Sequence, residues 1–307
     1  GTPLRINANF RHPAIRQLAR LSGWTLGYAI ANQIAVFVVQ NLAVSIAPGQ
    51  QDAYTKAFTF FVLPHGLLAV SIATTFEPEF TRSITKRDRA GFIDRASLGV
   101  RLVAMLTIPA GFGLFVLRRA IIGGALQHRE FTAVAALNTS RALAGFALGL
   151  AGFSIYLFVL RGFYAHHDAR TPFIINLFEN GINIVLAIIL VGRYGVLGLG
   201  LSFCIAYIVS AGLALLILSY KVEGFSLVPI FASLWPMFLA SVVMAEVVWF
   251  VARHVGGNSH GPAIVRLVVG TIVGGAVYVG ALIVLRVPEW SLLKNRLSRR
   301  QASSEQV

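Results

Sequence analysis

The sequence predicts an all-α, polytopic membrane protein with about eight transmembrane helices, and three observations favour this class. Only 12% of the 307 residues are charged and 56% are hydrophobic, whereas soluble domains carry ~25% charged residues. Segments 21–51 and 194–220 contain no Asp, Glu, Lys or Arg. Apolar runs of about 18 or more residues are typical of membrane-spanning helices, while strands of a membrane barrel are shorter and alternate strictly.

Eight apolar runs, here called spans A to H, approach the ~20 residues with which a helix crosses a bilayer. In chain order they cover residues 24–46, 57–76, 98–117, 142–160, 173–191, 195–218, 230–252 and 267–285. We divide the chain into a basic cytoplasmic segment (1–22), a unit of six spans (23–220), two additional spans (221–293) and a basic cytoplasmic tail (294–307). Because the chain starts at Gly1 without a cleavable signal pattern, we expect it to be the C-terminal part of a longer protein.

Basic residues outnumber acidic ones by 26 to 12, which gives a net charge of +14. They lie mainly between the apolar runs, so we interpret them as topology signals and expect no nucleic-acid partner. The positive-inside rule then places both ends in the cytoplasm. In the basic segment 81–97, Ile84, Phe92 and Ile93 recur among the charges, which favours an amphipathic helix on the inner leaflet. An ordinary positive-inside loop is the alternative.

Motifs of enzymes and metal sites are missing from the sequence. It contains no HExxH, nucleophile elbow or P-loop, and the single cysteine, Cys204, lies in an apolar run, which excludes a disulfide framework. His166, His167 and Asp168 are adjacent, but neighbouring side chains point in different directions. We therefore predict a protein that is not an enzyme and that has no metal or other cofactor.

Polar side chains inside the spans are the strongest candidates for function, because a charge at mid-bilayer is costly and is kept mostly where it faces a cavity or a partner. Glu179, Asn180 and Asn183 share one helical face of span E. We favour a cavity for Glu179 and interhelical packing for the two asparagines. Packing is also the favoured interpretation for the four amides of span A, which are Asn32, Gln33, Gln40 and Asn41.

Span B contains Pro64 and Gly66 near its middle. Proline removes a backbone hydrogen bond and glycine permits close approach, so the helix should kink here. Such a break beside a cavity is common in transporters, and a passive kink is the alternative. Lys56 and Thr59 lie on one face at the outer end of this span. Lys56 is either a substrate contact or an interfacial anchor.

The loop before span E has a well-formed helix start. Thr171 is the expected N-cap and Pro172 the first helical residue. Asp168 and Arg170 are close enough in sequence to form a solvated ion pair, which would contribute only ~0–1 kcal/mol.

Two segments resemble a known family. They are LPHGLLAVSIATTFEP at 63–78 and FYAHHDARTP at 163–172, and they resemble the eighth helix and the loop before the eleventh helix of the MurJ/MviN lipid II flippases. These flippases belong to the multidrug/oligosaccharidyl-lipid/polysaccharide exporter superfamily. In the second segment Phe163, Tyr164, Asp168, Arg170, Thr171 and Pro172 form the loop motif. The Pro-His-Gly-Leu-Leu variant points to an actinobacterial source.

The resemblance implies that spans A to H are helices 7–14 of a fourteen-helix flippase, with residues 23–220 as its C-terminal lobe. The family implies a cavity between two lobes that alternately opens inward and outward in the cytoplasmic membrane. Its substrate would be the undecaprenyl-pyrophosphate-linked peptidoglycan precursor, held by arginines, with the polyprenyl tail in a groove at the last two helices. Implied partners are the lipid-linked substrate, membrane lipids and the missing N-terminal lobe.

The sequence departs from the family pattern at three positions. Thr59 stands where members commonly have an arginine, and the nearest base on that face is Lys56. Val39 and Ala187 stand where some members hold sodium with polar side chains, so the sequence does not support a sodium site.

Two rival functions remain from the sequence. The first is export of another lipid-linked glycan, or drug/cation antiport within the same superfamily. The second is a non-transporting membrane scaffold that recruits cell-wall synthesis or division proteins through its basic loops.

Overall fold

The computed structural model describes residues 13–126, 131–258 and 260–290, and these are almost entirely helical, without a strand. The helices are α1 (Pro13–Ile46), α2 (Gln50–Pro64), a π-helical segment (His65–Val70), α3 (Ser71–Thr85), α4 (Arg89–Leu126), α5 (Ala133–Ala147), α6 (Leu150–Ala165), α7 (Arg170–Tyr194), α8 (Val196–Lys221), α9 (Val228–His254) and α10 (His260–Val284). The helix α1 already begins at Pro13, inside the predicted segment 1–22, and the predicted tail 294–307 lies outside the described residues.

Seven spans in the described ranges are long and apolar enough to cross a membrane, and the bent pair α5 and α6 makes an eighth. The prediction of an all-α protein with about eight spans is therefore confirmed. The helices α9 and α10 pack against α4 and against each other. One tie between them and the other helices is the Tyr278 hydroxyl, which donates to the Met105 carbonyl oxygen at 2.7 Å.

The predicted surface helix at 81–97 is wrong. Instead α3 continues to Thr85 and α4 begins at Arg89, so residues 86–88 form a tight turn and the rest of the segment belongs to the ends of two spans. Asp88 caps α4 by accepting a hydrogen bond from the Gly91 amide at 2.8 Å. The apolar residues among the charges pack the two helix ends together, since the rings of Phe80 and Phe92 lie 5.3 Å apart.

The expected kink at Pro64 takes the form of a π-helical segment at His65–Val70. Proline lacks the amide that would continue the α-helical ladder, and a π-turn accommodates the loss without ending the span. The two α-helices and this segment remain one span, Gln50–Thr85. The sharp bend lies elsewhere: span D, predicted as one helical span at 142–160, is bent by 51° between α5 and α6.

Glycines bring this bent pair into direct backbone contact with α8. A Cβ atom at Gly145 would lie 2.7 Å from the backbone of Gly200, and one at Gly149 would lie 2.8 Å from the Cα of Cys204. At Gly152 a Cβ atom would lie 2.9 Å from the Cα of Ile208. Small residues of this kind permit the close helix packing typical of membrane proteins.

An aromatic cluster, composed of Phe61, Phe146, Phe153, Phe203 and Tyr207, fills the space beside this contact. Its ring centroids lie 5.2 Å apart for Phe146 and Phe203, and 4.4 Å apart for Phe203 and Tyr207. The cluster joins α2, α5, α6 and α8, and its inner edge forms part of the cavity described below.

The loops predicted to be cytoplasmic meet at one end of the bundle. Arg89 pairs with Glu223 at 2.7 Å and so joins the α3–α4 turn to the α8–α9 loop. Lys221 pairs with Asp168 at 2.5 Å and so joins that loop to the α6–α7 loop. A third pair joins Arg101 of α4 to the fully buried Glu289 after α10 at 2.8 Å.

We predict that Gly200→Ala lowers the free energy of unfolding by about 1–3 kcal/mol, because the new methyl group overpacks the α5–α8 contact. A Cβ atom at Gly200 would lie 2.7 Å from the Ala142 carbonyl oxygen. The matched control is Gly212→Ala in the same helix, where a Cβ atom meets nothing within 4 Å. Thermal unfolding in detergent measures both variants, and equal midpoints for the two would contradict the packing argument.

Candidate functional site

A cavity of about 370 Å³ lies inside the bundle between α1, α2, α6, α7 and α8. Glu179, Asn180 and Asn183 form its α7 wall and are all buried, Glu179 with only 1% of its surface exposed. The structure thus brings the three polar residues of span E to one cavity, on the helical face that their spacing indicates.

Other polar residues of the wall come from neighbouring helices. They are Tyr28, Asn32 and Gln40 of α1, Tyr54 and Thr55 of α2, and Tyr207 of α8. Sequence reasoning assigned Asn32 and Gln40 to packing and missed the tyrosines. A tyrosine in an apolar run does not stand out in the sequence as a polar residue. Its ring is apolar enough to be buried in any core, so its hydroxyl gives no sign of a cavity.

Asn183 of α7 makes an interhelical contact of the expected kind, whereas the bond of Asn180 stays within its own helix. Asn183 accepts a hydrogen bond from the Ser202 hydroxyl of α8 at 3.0 Å, and the Asn180 amide donates to the Asn176 carbonyl oxygen at 2.9 Å. Glu179 differs, because neither of its buried carboxyl oxygens has a normal hydrogen bond from a described residue. The Tyr207 hydroxyl interacts with this carboxyl group at a looser geometry.

A second cavity of about 390 Å³ adjoins the first, and the two share Tyr28 and Leu157 as lining residues. His65 lies in its wall and forms a hydrogen bond through Nδ1 with the Ser154 hydroxyl at 2.9 Å. Arg161 also lines it and is paired with Glu77 of α3. Neither His65 nor Arg161 was predicted as a site residue, although both fall within or beside the two motif segments.

Lys56 and Thr59 lie away from both cavities. The Lys56 ammonium pairs with Asp52 at 2.6 Å and sits 4.7 Å from the ring centroid of Phe131. Thr59 is exposed, and its hydroxyl donates to the Thr55 carbonyl oxygen. The structure therefore does not bring Lys56 and Thr59 together with Glu179.

Two of the positions at which the sequence departs from the family pattern pack against each other. Val39 and Ala187 belong to a small apolar cluster with Ala43 and Leu199, all of them buried. This cluster lies two helical turns from Glu179 along α7.

The three adjacent residues His166, His167 and Asp168 do not converge. The His166 ring meets the Phe92 ring edge-on at 4.7 Å, and His167 has a positive φ of 55°. Within the described part of the chain no group of three or more His, Cys, Asp or Glu side chains is placed to hold a metal ion.

The start of α7 differs from the prediction. The helix begins at Arg170, and the capping role expected of Thr171 is taken by Asp168. Its carboxylate accepts hydrogen bonds from the Thr171 amide at 3.0 Å and from the Thr171 hydroxyl at 2.7 Å. Asp168 pairs with Lys221 rather than with Arg170, so the expected ion pair is also wrong. Pro172 is consequently the third residue of the helix, and Arg170 is exposed.

Two opposing effects act on the Asp168 carboxyl. Partial burial alone would raise its pKa, but hydrogen bonds from Lys221 and Thr171 outweigh this and hold the pKa below its ordinary value of 3.8. In the same motif, Phe163 is buried beneath the Lys221 ammonium, while Tyr164 is exposed and lines the second cavity.

A family model described as lipid II flippase MurJ matches residues 1–257. Among curated proteins, the lipid II flippase MurJ of Thermosipho africanus is 34% identical over 165 residues, which cover 54% of this chain and 33% of that protein. A probable lipid II flippase MurJ of Rhizobium meliloti is 25% identical over 252 residues, which cover 80% and 46%. The chain thus spans less than half the length of these relatives.

Solved structures show the same fold. A structure of lipid II flippase MurJ in an inward closed conformation aligns with a TM-score of 0.71 and 26% identity, over 84% of this chain and 52% of that one. An outward-facing multidrug resistance MATE family transporter of the MOP superfamily aligns with a TM-score of 0.59 over 90% of this chain and 66% of that one. At 16% identity the latter shows likeness of fold alone.

The cap at Asp168 makes a stability prediction. Because the pKa of Asp168 lies below 3.8 in the folded chain, the ionised cap stabilises the fold at neutral pH, and this contribution is lost as the pH falls below that value. We expect Asp168→Ala to lower the free energy of unfolding by about 1–2 kcal/mol at neutral pH. Asp94→Ala, at an exposed position of α4, is the control, and denaturant unfolding over a pH series is the measurement. A deficit that stays constant below pH 3.8 would refute the assignment.

Proposed function

This chain belongs to the MurJ family of lipid II flippases, and we propose that it forms one lobe of a flippase for the undecaprenyl-pyrophosphate-linked precursor of peptidoglycan. The observation that carries the proposal is the family match over residues 1–257, which includes every helix that lines the two polar cavities. Since the chain spans about half of its relatives, we propose that transport by alternating access also needs helices of a second lobe.

Two adjoining polar cavities in an otherwise apolar bundle support this function. Moving a sugar headgroup and a pyrophosphate through hydrocarbon is costly unless polar groups line the route. We assign Glu179, Asn180 and Asn183 to contacts with the polar headgroup. We assign Arg161 to the pyrophosphate, because a guanidinium is a bidentate phosphate donor that stays charged when partly buried.

Residues on the second span take other roles in this proposal. Thr59 lies on an exposed face of α2, which we assign to the second lobe. Lys56 acts as an interfacial anchor, since it lines neither polar cavity and its ammonium lies between Asp52 and Phe131. The π-helical segment after Pro64, with Gly66 exposed, joins the part of the span that lines the first cavity to the part that lines the second.

A third, apolar cavity of about 480 Å³ fits the polyprenyl tail. Its wall is built from α4, α6, α8 and α9, including Phe231, Leu234 and Phe238. The family resemblance implies a polyprenyl groove at the last two helices. In the structure α9 lines this cavity and α10 does not. We propose that the tail lies between α9 and the six-span unit.

The rival functions have less support. Likeness to MATE transporters is confined to the fold, and a scaffold that recruits cell-wall or division proteins would have no use for polar cavities inside its bundle. We propose that the protein catalyses no covalent reaction and lies in the cytoplasmic membrane. Both ends of the chain, and the end of the bundle that carries Arg89 and Glu223, would face the cytoplasm.

This orientation is tested by single cysteines in a Cys204→Ala background. A cysteine at Arg87, in the α3–α4 turn, should be protected from impermeant thiol reagents in intact cells and should react after permeabilisation. A cysteine at Gly257, at the opposite end of α9, should react without permeabilisation. The reverse pattern would invert the proposed topology.

Depletion of the protein in its native cells should trap lipid-linked precursor in the inner leaflet. Precursor would then resist an externally added enzyme that cleaves its pyrophosphate bond, and the full-length gene should restore cleavage.

We expect Arg161→Ala to lower the rate of export at least about tenfold, because one charge-assisted bidentate contact contributes ~1.5–3 kcal/mol. Arg253→Ala, which removes a guanidinium stacked on Trp249 at the far end of α9, is the control. Unchanged precursor exposure on depletion would refute the proposed function.

A further inference from the structure

Unpartnered polar atoms gather around Glu179. In the described part of the chain, eight buried side-chain nitrogen and oxygen atoms lack a hydrogen-bond partner at normal geometry, and five of them belong to Tyr156, Asn176 and Glu179. Only looser interactions join Tyr156 to Tyr28 and Asn176, and Tyr207 to Glu179. These three side chains are at most 1% exposed. Since unpaired buried polar groups are rare and costly, such a concentration in one place indicates a ligand or a change of state.

The groups that face Glu179 come from five helices. They are Tyr28 of α1, Tyr54 of α2, Tyr156 of α6 and Tyr207 of α8, each of which interacts electrostatically with the carboxyl group. On α7 itself, Asn176 lies three residues before Glu179 on the same helical face and interacts with Tyr156. These neighbours are neutral hydroxyl and amide groups, and none of them supplies a positive charge to offset an ionised carboxylate.

Protonation of the Glu179 carboxyl group would remove the cost of this uncompensated buried charge. A buried carboxylate without a cation is strongly disfavoured, and binding a proton removes the charge and creates a hydrogen-bond donor. Phenols can both donate and accept, and the Asn176 amide offers one oxygen acceptor and one NH₂ donor. The surrounding groups can therefore serve the neutral acid as well as the ionised form that prevails when water enters.

We propose that Glu179 is a proton-binding site of this lobe, protonated while the cavity is closed and deprotonated when the cavity opens to water. This proposal deepens the proposed function. Proton binding by Glu179 does not depend on that function, but any coupling of the proton to transport rests on it. A metal cation is the less favoured ligand, because Glu179 is the single carboxylate of the cavity wall and the Val39 and Ala187 positions are apolar.

Infrared difference spectroscopy on the full chain in lipid nanodiscs tests the site without measuring transport. The carbonyl stretch of a protonated carboxylic acid should be present at neutral pH, should shift in D₂O and should disappear reversibly on raising the pH. Glu179→Gln should abolish this band, while Glu179→Asp should keep a band at a shifted frequency. Asp94→Asn, which changes an exposed acid near the start of α4, is the control and should leave the band intact.

Three results would overturn the proposal. They are absence of the band from the unmodified chain, persistence of the band in Glu179→Gln, and its loss on adding sodium at constant pH, which would identify a metal-cation site. Tyr207→Phe should shift the frequency of the band without abolishing it, because it removes one neighbour of the acid. The spectroscopic and depletion results are independent, so a present band with unchanged precursor exposure would retain the proton site and reject the flippase function.

Discussion

The close contact between α8 and the bent pair α5 and α6 determines the arrangement of the other helices around the site. Because Gly145, Gly149 and Gly152 have no side chains, the α8 backbone lies directly against them. That contact sets Phe203 and Tyr207 beside the rings of α2 and α6, and both rings also line the cavity that contains Glu179. In hydrocarbon, where apolar side chains gain little by leaving lipid, such packing is a main source of helix association. The cavity around Glu179 is the space that this packing leaves between α1, α2, α6, α7 and α8.

Much of this architecture could be predicted from the sequence, because long apolar runs have one solution in a bilayer: helices that satisfy their own backbone groups. The face shared by Glu179, Asn180 and Asn183 followed from helical spacing alone. The bend in span D could not be predicted, since a glycine marks close approach only once the partner helix is known. The segment 81–97 was misassigned because an amphipathic pattern is the same whether its apolar side meets lipid or, as for Phe92, another helix.

The site residues divide in a similar way. Charged and amide groups in apolar runs are conspicuous, whereas Tyr28, Tyr54, Tyr156 and Tyr207 became evident only when four helices were seen to converge on one carboxyl group. Arg161 was interpreted as part of a basic loop, yet it lies in the last turns of α6 and lines a cavity. The cap of α7 was predicted at Thr171 and lies three residues earlier, at Asp168. The sequence does not reveal this, because Lys221, which stabilises the charge of Asp168, lies on another helix.

The ion pairs at one end of the bundle also affect its mechanics. Arg89 with Glu223, Lys221 with Asp168, and Arg101 with Glu289 each bridge segments far apart in sequence. At the opposite end, among the described residues, the ion pair of Lys56 with Asp52 stays within one helix, and Arg266 bonds to the nearby α9–α10 connection. The bundle is therefore tied across its helices at one end, whereas the ion pair of Lys56 at the opposite end ties no two helices together. Raised ionic strength would weaken the two exposed ties first, because screening acts least on the buried carboxylate of Glu289.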